Sequence, residues 1–247
     1  MDFMKILANA KGRSWVAANV NIAEGKSRRE VIQTLQARVA AAQVWFFDLD
    51  DNHAPSPAKR IAYNQVGTSF FDPRFINWAL RSGLPAKLDK GKESQAWEKY
   101  VDSFLQSDAA VEEIKRIFDS KSVRKSLYSG VQDFVHHVSD VPGFYVTRNI
   151  AEVAGAYASV LALDGVFETA DDKGKIVEKY LQEHPSIQMI GVDGDSQEDA
   201  EMVEVAKFYR VDVVSFYSMD RPEKSRMNPL FDYAVSKERT TLVKILS

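Results

Sequence analysis

The sequence predicts an α/β fold, a mostly parallel sheet flanked by helices, and three observations predict it. Short apolar runs of strand length alternate with stretches of helical spacing through the second half of the 247-residue chain. An aromatic-rich run, Val44-Trp45-Phe46-Phe47, comes before that alternation and has the length and composition of a buried strand. Between the two, residues 54–124 carry helical patterns and prolines but no convincing strand. Strands alternating with helices imply right-handed crossovers, and hence a parallel sheet whose ligands sit beyond the C-terminal strand ends.

Taken in order, residues 1–26 mix small and apolar residues with no clear element. A helix starts at Ser27, which forms a capping box with Glu30, and Val31, Leu35, Val39 and Ala42 then share one face. The strand at 44–47 follows. In 54–124, Pro55, Pro57, Pro73 and Pro85 interrupt helices whose apolar faces include Trp78, Trp97, Tyr100, Phe104, Ile114 and Phe118. Beyond it the pattern reads helix 131–138, strand 144–146, helix 149–161, helix 175–182, strand 187–192, helix 198–208, strand 211–216 and a last edge strand 241–246. The expected division is an N-terminal helical extension packing on the core (1–43), an α/β core (44–53 and 125–247) and a helical insertion (54–124).

Composition narrows the function. With 32 basic and 35 acidic residues the net charge is −3, and no long run of one sign appears. Neither nucleic acid nor a membrane surface is an expected partner, since both call for a basic face. No apolar stretch approaches the roughly 20 residues that span a bilayer. The chain has no cysteine, which excludes disulfides, thiolate metal sites and cysteine nucleophiles. With no secretory pattern at the N-terminus, the cytoplasm is the expected compartment.

Three strand ends carry polar residues suited to chemistry. In Asp48-Leu49-Asp50 the two carboxylates are two residues apart, so on extended chain they point to one side. One could attack an electrophile while the other handles a leaving-group proton, with Mg²⁺ lessening their repulsion. Alone, the pair is no more than an acidic strand end. Thr147-Arg148-Asn149 follows the second strand, where a hydroxyl and helix N-terminal amides could receive a phosphate; a routine cap by Thr147 or Asn149 is the plainer account. In Gly191-Val192-Asp193-Gly194-Asp195-Ser196-Gln197-Glu198-Asp199, Asp195 leaves a strand tip as a hard oxygen ligand, and Asp199 could ligate through water or orient the loop. Gly194 permits a close backbone approach there. Lys173 and Lys175 both stand where a lysine could neutralise the acids and hold phosphate.

Together these residues resemble the haloacid-dehalogenase superfamily, whose four motifs appear in order. Phe47-Asp48-Leu49-Asp50 is similar to the first motif, Thr147 to the second, Lys173 (with Lys175 as second choice) to the third, and Gly194-Asp195-Ser196-Gln197-Glu198-Asp199 to the fourth. The resemblance spans residues 44–216. It implies a Rossmann-like core, with 54–124 as a cap that closes over the site and selects the substrate. It further implies Mg²⁺-dependent hydrolysis of a small phosphorylated metabolite through an aspartyl-phosphate. Asp48 would be the nucleophile and Asp50 the acid and base. Thr147, Arg148, Asn149 and Lys173 would hold phosphate, and Asp48, Asp50, Asp195 and Asp199 the metal. An acid at position 50 favours phosphoryl transfer over dehalogenation. A phosphomutase or phosphotransferase, or a non-catalytic binding module of the same fold, are the alternatives.

Three features depart from the family pattern. Asn52 stands where the family usually has Thr or Val, residues 1–43 precede the first motif and could build a homo-oligomer, and Asp193 is an extra acid beside the fourth motif. Other signals carry less. Gly25-Lys26-Ser27 lacks the earlier glycine of a phosphate loop, because position 20 is Val20. His136 and His137 are adjacent and point to different helix faces. Lys121, Arg124 and Lys125 read as a solvated hinge, and His53 as a solvated loop residue.

Overall fold

The computed structural model describes residues 5–7, 14–55, 73, 118, 120–149, 151–168, 172–219 and 228–247. Nearly all of the expected cap, with its helices around Trp78, Trp97 and Ile114, lies outside these residues.

In chain order the described strands are β1 (Lys5–Ile6), β2 (Val16–Ala18), β3 (Trp45–Phe47), β4 (Gly143–Thr147), β5 (Gly165–Glu168), β6 (Met189–Gly194), β7 (Asp212–Met219) and β8 (Tyr233–Ser236). The described helices are α1 (Val20–Ala23), α2 (Arg28–Ala41), α3 (Ser120–Ser126), α4 (Val131–His137), α5 (Ala151–Leu161), α6 (Lys173–Glu183), α7 (Gln197–Phe208) and α8 (Thr240–Leu246). The strands make one sheet in the order β1-β2-β8-β7-β6-β3-β4-β5. The run from β8 to β5 is parallel throughout, while β2 joins β8 and β1 joins β2 in antiparallel fashion. From β3 the chain winds outward through β4 and β5, then returns to the other side of β3 with β6. The boundary between β3 and β6 is therefore the switch point at which such sheets open a crevice.

Alternation along β3 builds both faces of the core. Trp45 and Phe47 point to one side, where they meet α4 and α5, and Phe46 points to the other, among residues of α6 and α7. Trp45 stacks on Phe47 at 5.7 Å and on Phe216 at 5.9 Å, and meets the edge of Phe134 at 5.6 Å. Ring pairs of this kind add roughly 0.5–1.5 kcal/mol each beyond the area they bury. The Trp45 ring lies over Gly191, its register partner on β6: a Cβ there would sit 2.2 Å from the indole. The capping box of Ser27 and Glu30 is present, and Val31, Leu35 and Val39 of α2 are buried.

Several elements differ from the sequence expectation. The N-terminal extension is not helical throughout, because Val16-Ala17-Ala18 forms a fully buried strand on β8. Ala17 packs with Trp15, Met219 and Ala234, Val16 and Ala18 join the larger core, and three residues are too few to show a period. Residues 240–246 form a helix, not an edge strand. Their β-branched residues favour strand locally, but Leu242 and Leu246, four apart, bury one face against α2 and α4. β5 and β8 were not expected at all. Among the described residues, no helix is long and apolar enough to cross a membrane.

Candidate active site

Asp48 extends β3 by one residue, its N–H donating to the Asp193 carbonyl on β6 at 2.8 Å. The chain then curls. The N–H groups of His53 and Ala54 both donate to the Leu49 carbonyl, at 3.1 and 3.3 Å, and Asp51 takes a left-handed φ of 56°, which an Asp tolerates. The curl leaves the Asp48 carboxylate buried at the strand tip.

Lys173 opens α6, behind an N-cap made by Asp172. From this first turn its Nζ reaches 2.6 Å from Asp48 Oδ1 and 2.6 Å from Asp199 Oδ1. Lys175 does not approach the site: its ammonium pairs with Asp172 at 3.1 Å and its side chain is 75% exposed. Asp199 is the third residue of α7 and forms a capping box with Ser196. Its Oδ2 accepts from the Asp195 N–H at 2.9 Å, the Ser196 N–H at 2.9 Å and the Ser196 hydroxyl at 2.7 Å. This arrangement explains Gly194, since a Cβ there would lie 2.4 Å from the Asp199 side chain.

Asp48, Asp195 and Asp199 each offer an oxygen within 4.8 Å of the others. Burial, then the charge of Asp199, pushes the Asp48 carboxyl well above its usual range, with Asp50 and Asp195 adding to the effect; Lys173 opposes it. Burial and Asp199 likewise raise Asp195 to about 7. Burial works against the Lys173 charge too, yet Asp48 and Asp199 hold that ammonium above its ordinary value. Burial is the first cause for both carboxyls, and the opposing charges, Lys173 in direct contact with Asp48 and Lys237 acting on Asp195, do not offset it. A hard divalent cation between Asp48 and Asp195 fits this donor set, because it would stabilise the charged form of both. Asp199, with both oxygens already accepting protein hydrogen bonds, is suited to orienting the loop.

Thr147 ends β4 beside β3, buried, with its Oγ1 accepting the Asn149 N–H at 3.1 Å. Asn149 donates its amide Nδ2 to Asp50 Oδ2, joining the first and second strand ends. Arg148 turns outward and pairs with Glu198, both about half exposed. The structure thus brings Asp48, Lys173, Asp195 and Asp199 together and links Asp50 to Asn149, whereas Arg148 and Lys175 are engaged elsewhere.

One expectation needs correction, and one question is answered. His53 is not a solvated loop residue; it is fully buried, with Nδ1 2.9 Å from the Tyr145 hydroxyl and Nε2 3.1 Å from Asp193. Asp193 does not join the carboxylate cluster, because Arg239 Nη2 lies 2.9 Å from its Oδ1. Arg239 itself gave no local signal, since its side-chain partners Asn52, Asp193 and Ser218 are distant in sequence. The Ser196–Asp199 box, by contrast, was readable as a cap from Ser-x-x-Asp spacing.

No protein-family model matches the chain, and no curated relative is found by sequence. Solved structures do match. The structure of cytosolic 5′-nucleotidase IIIB bound to cytidine superposes with a TM-score of 0.51 and 14% identity, covering 88% of this chain and 89% of that one. A substrate-bound phosphoserine phosphatase complex gives a TM-score of 0.51 and 12% identity, covering 83% and 99%. At such identities the likeness establishes architecture, and with the β3/β6 switch point described above it shows that this chain has the haloacid-dehalogenase-like fold.

Proposed function

We propose that the protein is a Mg²⁺-dependent phosphohydrolase that cleaves a small phosphomonoester through an aspartyl-phosphate. The observation that carries this reading is the buried Lys173 ammonium, 2.6 Å from both Asp48 and Asp199 and beside Asp195, at the tips of β3 and β6. A buried carboxylate with a lysine at hydrogen-bond distance suits an in-line nucleophile whose target carries negative oxygens.

Asp48 Oδ attacks phosphorus, forming the acyl-phosphate bond as the ester P–O bond breaks. The leaving oxygen takes a proton from Asp50. Asp50 then accepts a proton from a water that attacks phosphorus, releasing phosphate and restoring Asp48. Lys173 and the Thr147 hydroxyl hold non-bridging oxygens, with Asn149 keeping Asp50 oriented. Asp48, Asp195 and the backbone carbonyl of Asp50 would hold Mg²⁺, with Asp199 fixing the loop that carries Asp195. When bound, the cation supplies charge neutralisation between the acids and the phosphoryl group. Residues 54–124 are proposed as the cap that selects the ester, a phosphorylated metabolite.

Turnover of an aryl phosphate with Mg²⁺ tests the reading. The expected result is turnover that chelator abolishes and that Asp48→Asn lowers at least ~1000-fold, the scale seen when a nucleophile is removed. Wild-type protein inert on a broad panel of phosphate esters contradicts it, as does an Asp48→Asn variant of near-normal rate.

A further inference from the structure

Behind the carboxylates lies a second polar cluster that the chemistry above does not use: Asn52, His53, Asp193, Ser218 and Arg239, all buried. The Asn52 amide stands at its centre. Its Nδ2 donates to the Asp48 carbonyl at 3.1 Å and to the Asp193 carbonyl at 2.9 Å. Its Oδ1 accepts from Arg239 Nη2 at 2.6 Å and from the Ser218 hydroxyl. Only one orientation of the amide satisfies these neighbours, because a guanidinium has no acceptor and a carbonyl no donor.

One side chain therefore ties together the tips of three adjacent strands. Asp48 follows β3 directly, Asp193 lies in β6 and Ser218 in β7, while Arg239 leads into α8. Arg239 is itself held, by the Asp193 carboxylate at 2.9 and 3.1 Å and by the Ser236 carbonyl. Its route to the nucleophile runs through Asn52 and the Asp48 main chain. Neither Thr nor Val, the usual family residues at this place, carries two donors that could reach both carbonyls.

We propose that Asn52, anchored by Arg239, is a positioning residue that sets the aim of the Asp48 carboxylate by fixing the Asp48 carbonyl. The inference rests on Asp48 being the nucleophile. A displacement of the reacting group by about 1 Å costs on the order of 100-fold in rate. Substrate contacts, by contrast, are left in place. The signature is thus a loss in kcat with KM held, which a purely structural role would not produce.

The test is kcat and KM on an aryl phosphate, per folded molecule and well below the melting temperature, for wild type, Asn52→Thr and Arg239→Lys. The expected result is a ~10- to 100-fold fall in kcat for Asn52→Thr with KM within about twofold, and a smaller fall of the same kind for Arg239→Lys. Both variants at wild-type kcat, even with lowered melting temperatures, overturn the inference while leaving the phosphohydrolase reading intact. Wild-type protein inert on the panel overturns that reading, and this inference with it. Should neither variant fold, Ser218→Ala, which removes the hydroxyl that donates to Asn52 and accepts from Arg239, decides: a kcat fall of several-fold at unchanged KM supports the role, and an unchanged kcat overturns it.

Discussion

Lys173 brings one positive charge into a cluster that includes Asp48, Asp195 and Asp199, with Asp50 close enough to be felt at Asp48. These residues were legible because each sits at a strand end or within a helix's first turn, where local pattern and position coincide. The choice between Lys173 and Lys175 was not, since it turns on which residue of the first turn of α6 faces β3. His53 was misread for a related reason. Its neighbours in sequence are polar, but its partners Tyr145 and Asp193 lie 92 and 140 residues away. Burial lowers the His53 pKa, while its bond to Asp193 works the other way. The folded state thus keeps it neutral, and the stability this carries is present above its unfolded pKa of about 6.5 and is lost as pH falls below that. The raised carboxyls of Asp48 and Asp195 act with opposite sign but are common to wild type and a His53→Gln variant. The difference in unfolding free energy between the two should therefore shrink from pH 7 to 5, with a slope of at most about 1.4 kcal/mol per pH unit. Urea titrations that give a difference independent of pH would refute this.

Elements of ordinary length were readable when they carried a clear period. α2, with its capping box and three buried residues four apart, is the plainest case. β1, β2, β5 and β8 run from two to four residues, which is too short for alternation to register. α8 fails the other way: its sequence prefers strand, and packing of Leu242 and Leu246 decides the outcome. The pairing of β3 with β6 offers a sharper test. Gly191 faces the Trp45 ring, and a methyl group there would come within 2.2–2.5 Å of indole atoms. Trp45 is fully buried between Phe47, Phe134 and Phe216, so it has little room to yield. Gly191→Ala should cost about 3 kcal/mol, at the upper end for overpacking a core, read as a lowered urea midpoint at unchanged m-value. A midpoint equal to wild type would show that β3 and β6 are not packed as described.

At the scale of the molecule, a mostly parallel sheet was legible from the alternation of strands and helices, though not its strand order, and the candidate site lies at the tips of β3 and β6. The order of motifs in sequence does not show the antiparallel strands of the N-terminus on β8, nor the buried Asn52–Arg239 cluster that closes the sheet from behind. Both depend on contacts between residues far apart in sequence. The proposed Mg²⁺ site among the buried acids would couple the cation to the stability of the whole fold. Mg²⁺ at about 100 times its Kd should add ~2.7 kcal/mol to the unfolding free energy, seen as a rise in melting temperature. Asp195→Asn should remove most of that rise, and an equal rise in the variant would place the cation elsewhere.

The central claim is that Asp48 carries the phosphoryl group during turnover. Rapid quenching of the working enzyme with borohydride, which reduces an acyl-phosphate to the alcohol, followed by mass spectrometry of the peptide bearing residue 48, tests it most directly. The account predicts reduction at Asp48 in wild type, dependent on substrate and Mg²⁺ and absent in Asp48→Asn. Reduction at another carboxylate, or steady phosphate release with Asp48 unmodified at every quench time, would contradict it.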